Sequence, residues 1–228
     1  GGGILYHIVV HGPDGPRTWP GAYDGRPGNW DYTNEAFWST RFVDADAPLL
    51  LLDADPDFQR VLPLRTAWRT FVRKRLVPGS AVGSRAIGVT ARLPADDPVF
   101  LREYVGDEVR ARRPDLAGFT HLAVRARALS PESCTLQLGL LTTDGYTYAA
   151  PLDLTGDWTE VRIPLADLRQ TGTALRLAYP QMMPDFFVPE RPIPFDPRRI
   201  EQWEISTGDR FEGGTLDYEV ESVWLERQ

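Results

Sequence analysis

The sequence of 228 residues predicts an all-β protein, an antiparallel β-sandwich with an irregular N-terminal extension. Three observations favour this fold class. Short runs in which apolar and polar residues alternate recur along the chain, as in strands with one buried face. Turn signals separate these runs, and the chain contains 20 Gly and 20 Pro. About eight to ten such strands, without a regular alternation of helices, favour a sandwich or a barrel over βαβ units.

The first 47 residues are irregular, and we assign them to an N-terminal extension or to the end of a preceding domain. The Gly-Gly-Gly start without Met indicates a processed piece of a longer chain. Residues 4–10 predict a strand and residues 34–40 a short helix. Residues 18–32 are rich in Gly, Pro and aromatic side chains and show no period, which is typical of a segment that lines a site or packs on a neighbour.

The sandwich is predicted to span residues 48–228, and its clearest part is an antiparallel meander over residues 119–166. Within the meander, residues 135–141 and 146–152 flank Asp144-Gly145, which is the signal of a tight hairpin. Residues 98–111 are ambiguous, because their apolar positions also fit one face of a helix. Further strands are predicted at 49–52, 65–77, 86–93, 158–163, 174–178, 200–207 and 216–225.

Composition excludes several classes of function. The net charge of −7 and the pI near 5.0 argue against a broad grip on phosphate backbones, so nucleic acid is not an expected partner. No stretch approaches the roughly 20 apolar residues of a membrane helix, so a soluble protein is expected. The single Cys134 excludes an internal disulfide and is predicted to be a small buried apolar residue.

A further signal of fold comes from four segments: 119–127, 144–146, 157–165 and 213–225. In these segments the sequence resembles galactose-binding-like β-sandwich domains, the jelly-roll domains that include carbohydrate-binding modules attached to glycoside hydrolases. The resemblance covers roughly residues 48–228. It implies a carbohydrate or polysaccharide ligand, a catalytic domain of the same polypeptide as a second partner, and an extracellular or periplasmic location.

The resemblance also implies a structural calcium ion between an acidic residue near the first strand of the sandwich and one in its last strand. The matching residues are Asp53 or Asp55 and Glu221, although the register equally allows Glu219. Calcium requires six to eight oxygen ligands, several of them from the backbone. The alternative interpretation is that Asp53 and Asp55 belong to a solvated turn that follows a strand.

Sugar binding uses flat apolar rings together with a few polar groups that fix the orientation of the ligand. The predicted carbohydrate-binding residues lie on the long loop 179–195 and on the central hairpin: Tyr179, Met182, Phe186, Phe187, Tyr146 and Tyr148. The alternative is a loop that folds back and buries its own rings. Trp158 is predicted to lie in the core, since apolar strand residues follow it.

No catalytic residue is predicted. His7 and His11 are about 13 Å apart if both lie on one strand, so one metal ion cannot bind both. A glycoside hydrolase would need two carboxyl groups about 5 to 9.5 Å apart. The candidates are Asp31, Glu35, Asp144, Asp185 and Glu190, for which a solvated surface position is the alternative.

The sequence therefore favours a non-catalytic carbohydrate-binding or accessory β-sandwich module of a larger extracellular glycan-degrading enzyme. Two alternatives remain: a catalytic sugar-active hydrolase with a carboxylate pair, and a purely structural spacer domain. The basic run Arg73-Lys74-Arg75 is interpreted as a wet strand edge that discourages pairing with other chains.

Overall fold

The computed structural model describes residues 2–19, 38–44, 46–65, 70–93, 98–110, 112–129, 134–175, 185–207 and 213–227. The chain divides into two compact units, Gly1–Ala47 and Pro48–Gln228. The assignment of the first unit to an extension or to a preceding domain stays a prediction.

The first unit contains two antiparallel strand pairs. One joins β1 (Gly2–Tyr6) to β4 (Trp38–Phe42), and the other joins β2 (Ile8–Gly12) to β3 (Gly15–Trp19). The strand predicted at 4–10 is thus two strands, interrupted at His7. The helix predicted at 34–40 is wrong at residues 38–40, because β1 holds them in a ladder with Thr40 opposite Ile4. Residues 34–37 lie outside the described part.

The second unit is built from short strands that follow one another with few helical turns. The strands are β5 (Leu49–Asp53), β6 (Leu62–Arg65), β7 (Phe71–Pro78), β8 (Arg85–Leu93), β9 (Val99–Tyr104), β10 (His121–Ala128), β11 (Cys134–Thr142), β12 (Thr147–Leu154), β13 (Thr159–Pro164), β14 (Arg169–Thr171), β15 (Thr173–Leu175), β16 (Asp185–Phe187), β17 (Ile200–Ser206) and β18 (Gly214–Glu226).

Helical segments in the second unit are short. They are the α-helices α1 (Ala54–Asp57) and α2 (Gly106–Arg110) and the 3-10 turns Arg113–Gly118, Leu165–Asp167 and Pro197–Arg199. Across the residues that the structure describes, no helix has the length and apolar character needed to cross a membrane.

These strands form two antiparallel sheets. The first sheet has the order β13-β10-β18-β8-β7, with β5 also paired to β18. The second sheet has the order β14-β12-β11-β17-β9-β6, and β15 and β16 form a separate small pair. Apolar side chains from both sheets meet in one core. The arrangement confirms the predicted all-β antiparallel sandwich.

The core consists of the side chains that alternate inward along the strands. Leu52 and Tyr218 from the first sheet and Leu138 and Trp203 from the second are almost completely buried. Each large apolar side chain buried in this way contributes about 1.5 to 3 kcal/mol to folding. A two-residue period of burial on both sheets therefore leaves two outer faces, one on each side of the sandwich.

Some local predictions for the second unit are confirmed, and one is wrong. The Asp144-Gly145 hairpin is confirmed, with Gly145 at φ +84° between β11 and β12. The ambiguous segment 98–111 is strand β9 followed by the short α2. Trp158 is not in the core: it precedes β13, is only partly buried, and lies under the Arg127 guanidinium, 4.8 Å from its ring centroid. The side chain of Cys134 lies outside the described part.

Candidate functional site

The outer face of the second sheet presents two rows of side chains from neighbouring strands. The strand register places Leu62, Arg102, Glu204, Gly139 and Ala149 in one row, and Tyr104, Gln202, Leu141 and Thr147 in the next. Because side chains alternate across a strand, these positions face away from the core residues between them. Five of these residues line a surface groove: Leu62, Arg102, Tyr104, Gln202 and Leu141.

A cavity of about 300 Å³ lies over these rows, and we call it the second-sheet groove. Its lining mixes aliphatic, aromatic and polar side chains: Leu62, Leu64, Arg102, Tyr104, Leu141, Gly145, Thr173, Ala174 and Gln202. Apolar surface with a few convergent polar groups is the usual composition of small-ligand sites.

Tyr104 provides the aromatic ring of the second-sheet groove and is 45% exposed. Gly106 makes room for this ring, since an added Cβ at Gly106 would lie 2.2 Å from the Tyr104 hydroxyl oxygen. Gln202 lies directly opposite Tyr104 in the ladder between β9 and β17. The groove thus places a partly exposed ring beside a side chain that both donates and accepts hydrogen bonds.

Arg102 and Glu204 form a buried ion pair beneath the groove, and they are 7% and 1% exposed. Arg102 donates to Glu204 Oε2 from Nη2 at 2.6 Å and from Nε at 3.0 Å. Burial raises the pKa of Glu204, and the charge and hydrogen bonds of Arg102 oppose that shift. The positive charge of Arg102 therefore has a partner within the protein.

The strand β15 covers one side of the groove because three contacts tie it to the sheet. Arg102 Nη1 donates to the carbonyl oxygen of Ala174 at 2.7 Å. Thr173 Oγ1 donates to Thr147 Oγ1 at 2.8 Å and accepts from the Thr147 amide at 3.0 Å. All four residues are buried, so the wall they form is fixed by hydrogen bonds that water does not reach.

Four of the six predicted carbohydrate-binding residues belong to the long loop 179–195. Tyr179 and Met182 lie outside the described part, as does the side chain of Phe186. Phe187 is 41% exposed on β16, and its ladder partner is the groove residue Thr173. The structure therefore brings the strand of Phe187 next to the second-sheet groove.

The two predicted residues on the central hairpin do not contribute open rings. Tyr146 is partly buried and packs against the core. Tyr148 is 2% exposed, and its ring centroid lies 5.1 Å from that of Phe195. Burial also raises the pKa of Tyr148. Tyr148 therefore packs as a core residue, and its part in carbohydrate binding stays a prediction from the sequence.

Sequence reasoning missed Tyr104, Gln202 and Arg102. A signal for Tyr104 and Arg102 was present, because Val99 and Leu101 set a two-residue period that leaves these two side chains on the opposite face. Phe100 obscured that period, since an apolar residue then stood on each face.

The residues that the resemblance implies for calcium are either exposed or hydrogen-bonded within the protein. Asp53 and Asp55 are exposed, and the carboxylate of Glu221 accepts a hydrogen bond from the Ser80 amide at 2.9 Å. Glu219, the alternative, accepts from Arg127 Nε at 2.7 Å. Among the described residues, no three His, Cys, Asp or Glu side chains form a group suited to a metal ion. Calcium stays a prediction from the resemblance.

The carboxylates considered for hydrolysis are scattered. Asp31, Glu35 and the side chain of Asp185 lie outside the described part. Asp144 lies 2.8 Å from Arg199 Nη1 and also accepts from the Thr142 hydroxyl, while Glu190 is exposed. Neither Asp144 nor Glu190 is among the described residues that line the second-sheet groove. The hydrolase alternative stays a hypothesis.

No protein-family model and no curated protein matches the chain. Solved structures do. The chain is similar to the Family 11 carbohydrate-binding module of the cellulosomal cellulase Lic26A-Cel5E of Clostridium thermocellum, with a TM-score of 0.57 and 12% identity, covering 81% of this chain and 97% of that one.

A second solved structure is a Family 11 carbohydrate-binding module from Clostridium thermocellum in complex with a β-1,3-1,4-mixed-linked tetrasaccharide. Its TM-score is 0.55 at 13% identity, covering 79% of this chain and 95% of that one. Identities this low establish the fold alone. The chain therefore has the β-sandwich fold of carbohydrate-binding modules, the galactose-binding-like fold that its sequence resembles.

Proposed function

We propose that this chain is a non-catalytic carbohydrate-binding module and that its second-sheet groove holds a neutral polysaccharide chain. The observation that carries the proposal is the position of Tyr104, a 45% exposed ring on the floor of a groove of about 300 Å³. Its partner in the ladder, Gln202, supplies a polar group beside the ring.

The chemistry of the groove suits an uncharged sugar. One face of a pyranose ring is apolar and packs on an aromatic ring, and the hydroxyl groups at its edge exchange hydrogen bonds with amides and hydroxyls. Tyr104 and Leu62 supply apolar surface, and Gln202 supplies polar atoms. Since Glu204 already neutralises Arg102, the described residues that line the groove present no unpaired charge that would select an anionic ligand.

A mixed-linked β-glucan is the first ligand to test, because a module of similar fold was solved with a mixed-linked tetrasaccharide. We further propose that the module belongs to a larger extracellular glycan-degrading enzyme, in which it holds the catalytic domain near its polysaccharide. The support for this part is the resemblance of the sequence to modules attached to glycoside hydrolases.

Affinity gel electrophoresis over neutral polysaccharides, followed by calorimetry on those that retard the chain, tests the proposal. We expect retardation by mixed-linked β-glucan and a loss of affinity of about tenfold, near 1.4 kcal/mol, in Tyr104→Ala. Phe42→Ala is the matched control, because Phe42 is 54% exposed and is not among the described residues that line the groove. Absence of binding to every neutral polysaccharide by a folded protein would reject the proposal.

A separate experiment tests Phe187, because its strand β16 pairs with β15 at the wall of the groove. If the ligand extends past Thr173, Phe187→Ala weakens binding of long oligosaccharides more than of short ones. Equal affinities of Phe187→Ala and the unmodified chain for both lengths would remove Phe187 from the site.

A further inference from the structure

The outer face of the first sheet carries a groove of a different character, which we call the arginine groove. Its cavity of about 510 Å³ is lined by Phe71, Arg73, Arg75, Thr90 and Arg92. These residues come from the adjacent strands β7 and β8. Because the two outer faces lie on opposite sides of one core, the arginine groove is independent of the second-sheet groove.

The strand register explains how the arginine groove is built. Phe71 lies opposite Arg92, Arg73 opposite Thr90, and Arg75 opposite Gly88. Lys74, between the two arginines of β7, points to the other face, where Nζ donates to the carbonyl oxygens of Phe58 and Val61. Two-residue alternation therefore collects the long side chains of Phe71, Arg73, Arg75 and Arg92 on one surface.

Small residues on β8 leave space between these long side chains. A Cβ added to Gly88 would lie 3.5 Å from Cγ and from Nε of Arg75, so the Arg75 side chain extends across Gly88. Thr90, the next outward position, is also short. The result is a shallow floor bordered by guanidinium groups, with the Phe71 ring at one end.

The three arginines of this groove have no side-chain partner among the residues that the structure describes. Their neighbours on the same face differ: Arg127 pairs with Glu219 at 2.7 Å, and Arg125 pairs with Glu160. Asp217 lies opposite Thr90 on β18, but it forms no ion pair with the arginines within the described ranges. Three unpaired like charges repel one another, which costs stability.

Protection of a sheet edge accounts for only part of this cluster. β7 is the last strand of the first sheet, so Arg73 and Arg75 discourage pairing with another chain, as the sequence indicated. Arg92 is on β8, the next strand inward, and contributes nothing to the edge. Phe71 is 50% exposed, which is the opposite of edge protection. Edge protection therefore leaves Arg92 and Phe71 without an explanation.

We propose that the arginine groove binds an anionic polysaccharide through its carboxylate or sulfate groups. A guanidinium group pairs with either anion through two parallel N–H···O hydrogen bonds, and Phe71 supplies a ring for the apolar face of a sugar. Successive outward side chains on a strand are about 7 Å apart and neighbouring strands about 4.8 Å, so one short oligosaccharide spans the groove.

Calorimetry and affinity electrophoresis with two probes, polygalacturonate for carboxylate and carrageenan for sulfate, test the proposal on the whole chain. The test variant carries Arg73→Gln, Arg75→Gln and Arg92→Gln together. We expect the unmodified chain to bind at least one probe, with affinity lost at about 1 M salt, where the screening length is near 3 Å. We expect the triple variant to lose at least about tenfold in affinity.

A triple variant with the same change in net charge, Arg110→Gln, Arg191→Gln and Arg198→Gln, is the control for general charge, because these three residues are exposed and lie outside the groove. We expect it to retain its affinity within about twofold. Equal losses in both triple variants would overturn the proposal. So would no binding of either probe, or equal binding of a DNA duplex, which would indicate a general polyanion surface.

Mixed-linked β-glucan serves as the reference ligand in the same experiment. Unchanged glucan binding by the arginine variant, together with lost binding of the acidic probe, supports two separate sites. If the unmodified chain binds the acidic probe but no neutral polysaccharide, the proposed function of the second-sheet groove fails while the inference about the arginine groove stands.

Discussion

Arginine side chains lie in opposite environments on the two outer faces of the sandwich. On the second sheet, Arg102 is almost buried and its charge is matched by Glu204. On the first sheet, Arg73, Arg75 and Arg92 line an open groove and find no partner within the described part of the chain. The buried and paired Arg102 helps to fix the wall of the second-sheet groove, whereas the unpaired arginines of the first sheet are available to bind a ligand.

This difference shows that net charge is a poor guide to the local charge of a surface. The chain carries a net charge of −7, yet it concentrates three cations in one groove. Local pairing, read from the register of neighbouring strands, decides which surface is neutral and which is basic.

Breaking the buried pair tests whether Arg102 depends on its partner. Glu204→Ala leaves the charge of Arg102 in a buried position, and we expect it to lower the free energy of unfolding by about 3 kcal/mol. Urea denaturation measures this change. Replacing both residues together, Arg102→Met with Glu204→Leu, should recover most of the loss, because the uncompensated charge is then gone. A single-variant cost below about 1 kcal/mol would show that the pair is not structural.

A second buried carboxylate, Glu103, faces the inner side of the same strand as Arg102. Burial and the nearby charge of Asp57 raise the pKa of Glu103 to about 8, against the opposing effects of Arg60 and of a hydrogen bond from Trp203. Between the ordinary pKa of 4.5 and about 8, the folded protein therefore binds more protons than the unfolded chain.

We accordingly expect the stability to fall as the pH rises from about 5 to about 8, by at most about 1.4 kcal/mol per pH unit. Glu103→Gln keeps an acceptor for the Trp203 indole, which lies 3.3 Å from Glu103 Oε2, and should flatten this dependence. Denaturation midpoints across the pH range measure both slopes. A variant that keeps the slope of the unmodified chain would assign it to other groups.

The Tyr104 ring is held where only a glycine at position 106 leaves room for it. Gly106→Ala should therefore displace the ring and weaken neutral polysaccharide binding by about fivefold, near 1 kcal/mol, without affecting acidic probes. Gly156→Ala is a suitable control, because an added Cβ there meets no atom within 4 Å. Equal binding by Gly106→Ala and Gly156→Ala would mean that the ring position does not matter.

The smallest expected effect concerns Glu221. Burial opposes the shift, but hydrogen bonds from Ser80 and Ser84 and the charge of Arg125 together hold the pKa of Glu221 below its ordinary value. Glu221 therefore stabilises the folded state at neutral pH, and this contribution is lost as the pH falls below about 4.5. We expect Glu221→Gln to cost about 0.5 to 1 kcal/mol at neutral pH and less in acid.

The unmodified chain and Glu221→Gln also test the predicted calcium ion. If calcium binds at Glu221, added calcium raises the Tm of the unmodified chain, and this rise disappears in Glu221→Gln. An unchanged Tm on adding calcium and on adding EDTA would remove the metal from the account.

Much of the fold was predictable because it depends on local signals. The two-residue alternation in 119–166 and the Asp144-Gly145 turn specify neighbouring antiparallel strands, and the structure has them. The helix at 34–40 failed at residues 38–40 because a strand distant in sequence captures them, which local propensity does not encode.

The candidate sites were much harder to predict, because each depends on strand pairing. Tyr104 and Gln202 are neighbours only through the ladder between β9 and β17. Arg92 likewise joins Arg73 only because β7 and β8 pair in one particular register. The sequence identified Arg73-Lys74-Arg75 as a basic run. It did not show that Lys74 points inward, or that Arg92 from β8 joins Arg73 and Arg75 in the arginine groove.

The most direct test of two chemically distinct faces is a reciprocal binding experiment by calorimetry. Two variants are compared: Tyr104→Ala, and the triple variant Arg73→Gln, Arg75→Gln and Arg92→Gln. Each is titrated with mixed-linked β-glucan and with the acidic probe that the unmodified chain binds best. The account predicts that each change lowers affinity for one ligand by about tenfold and leaves the other within about twofold. Loss of both ligands in either variant would contradict it.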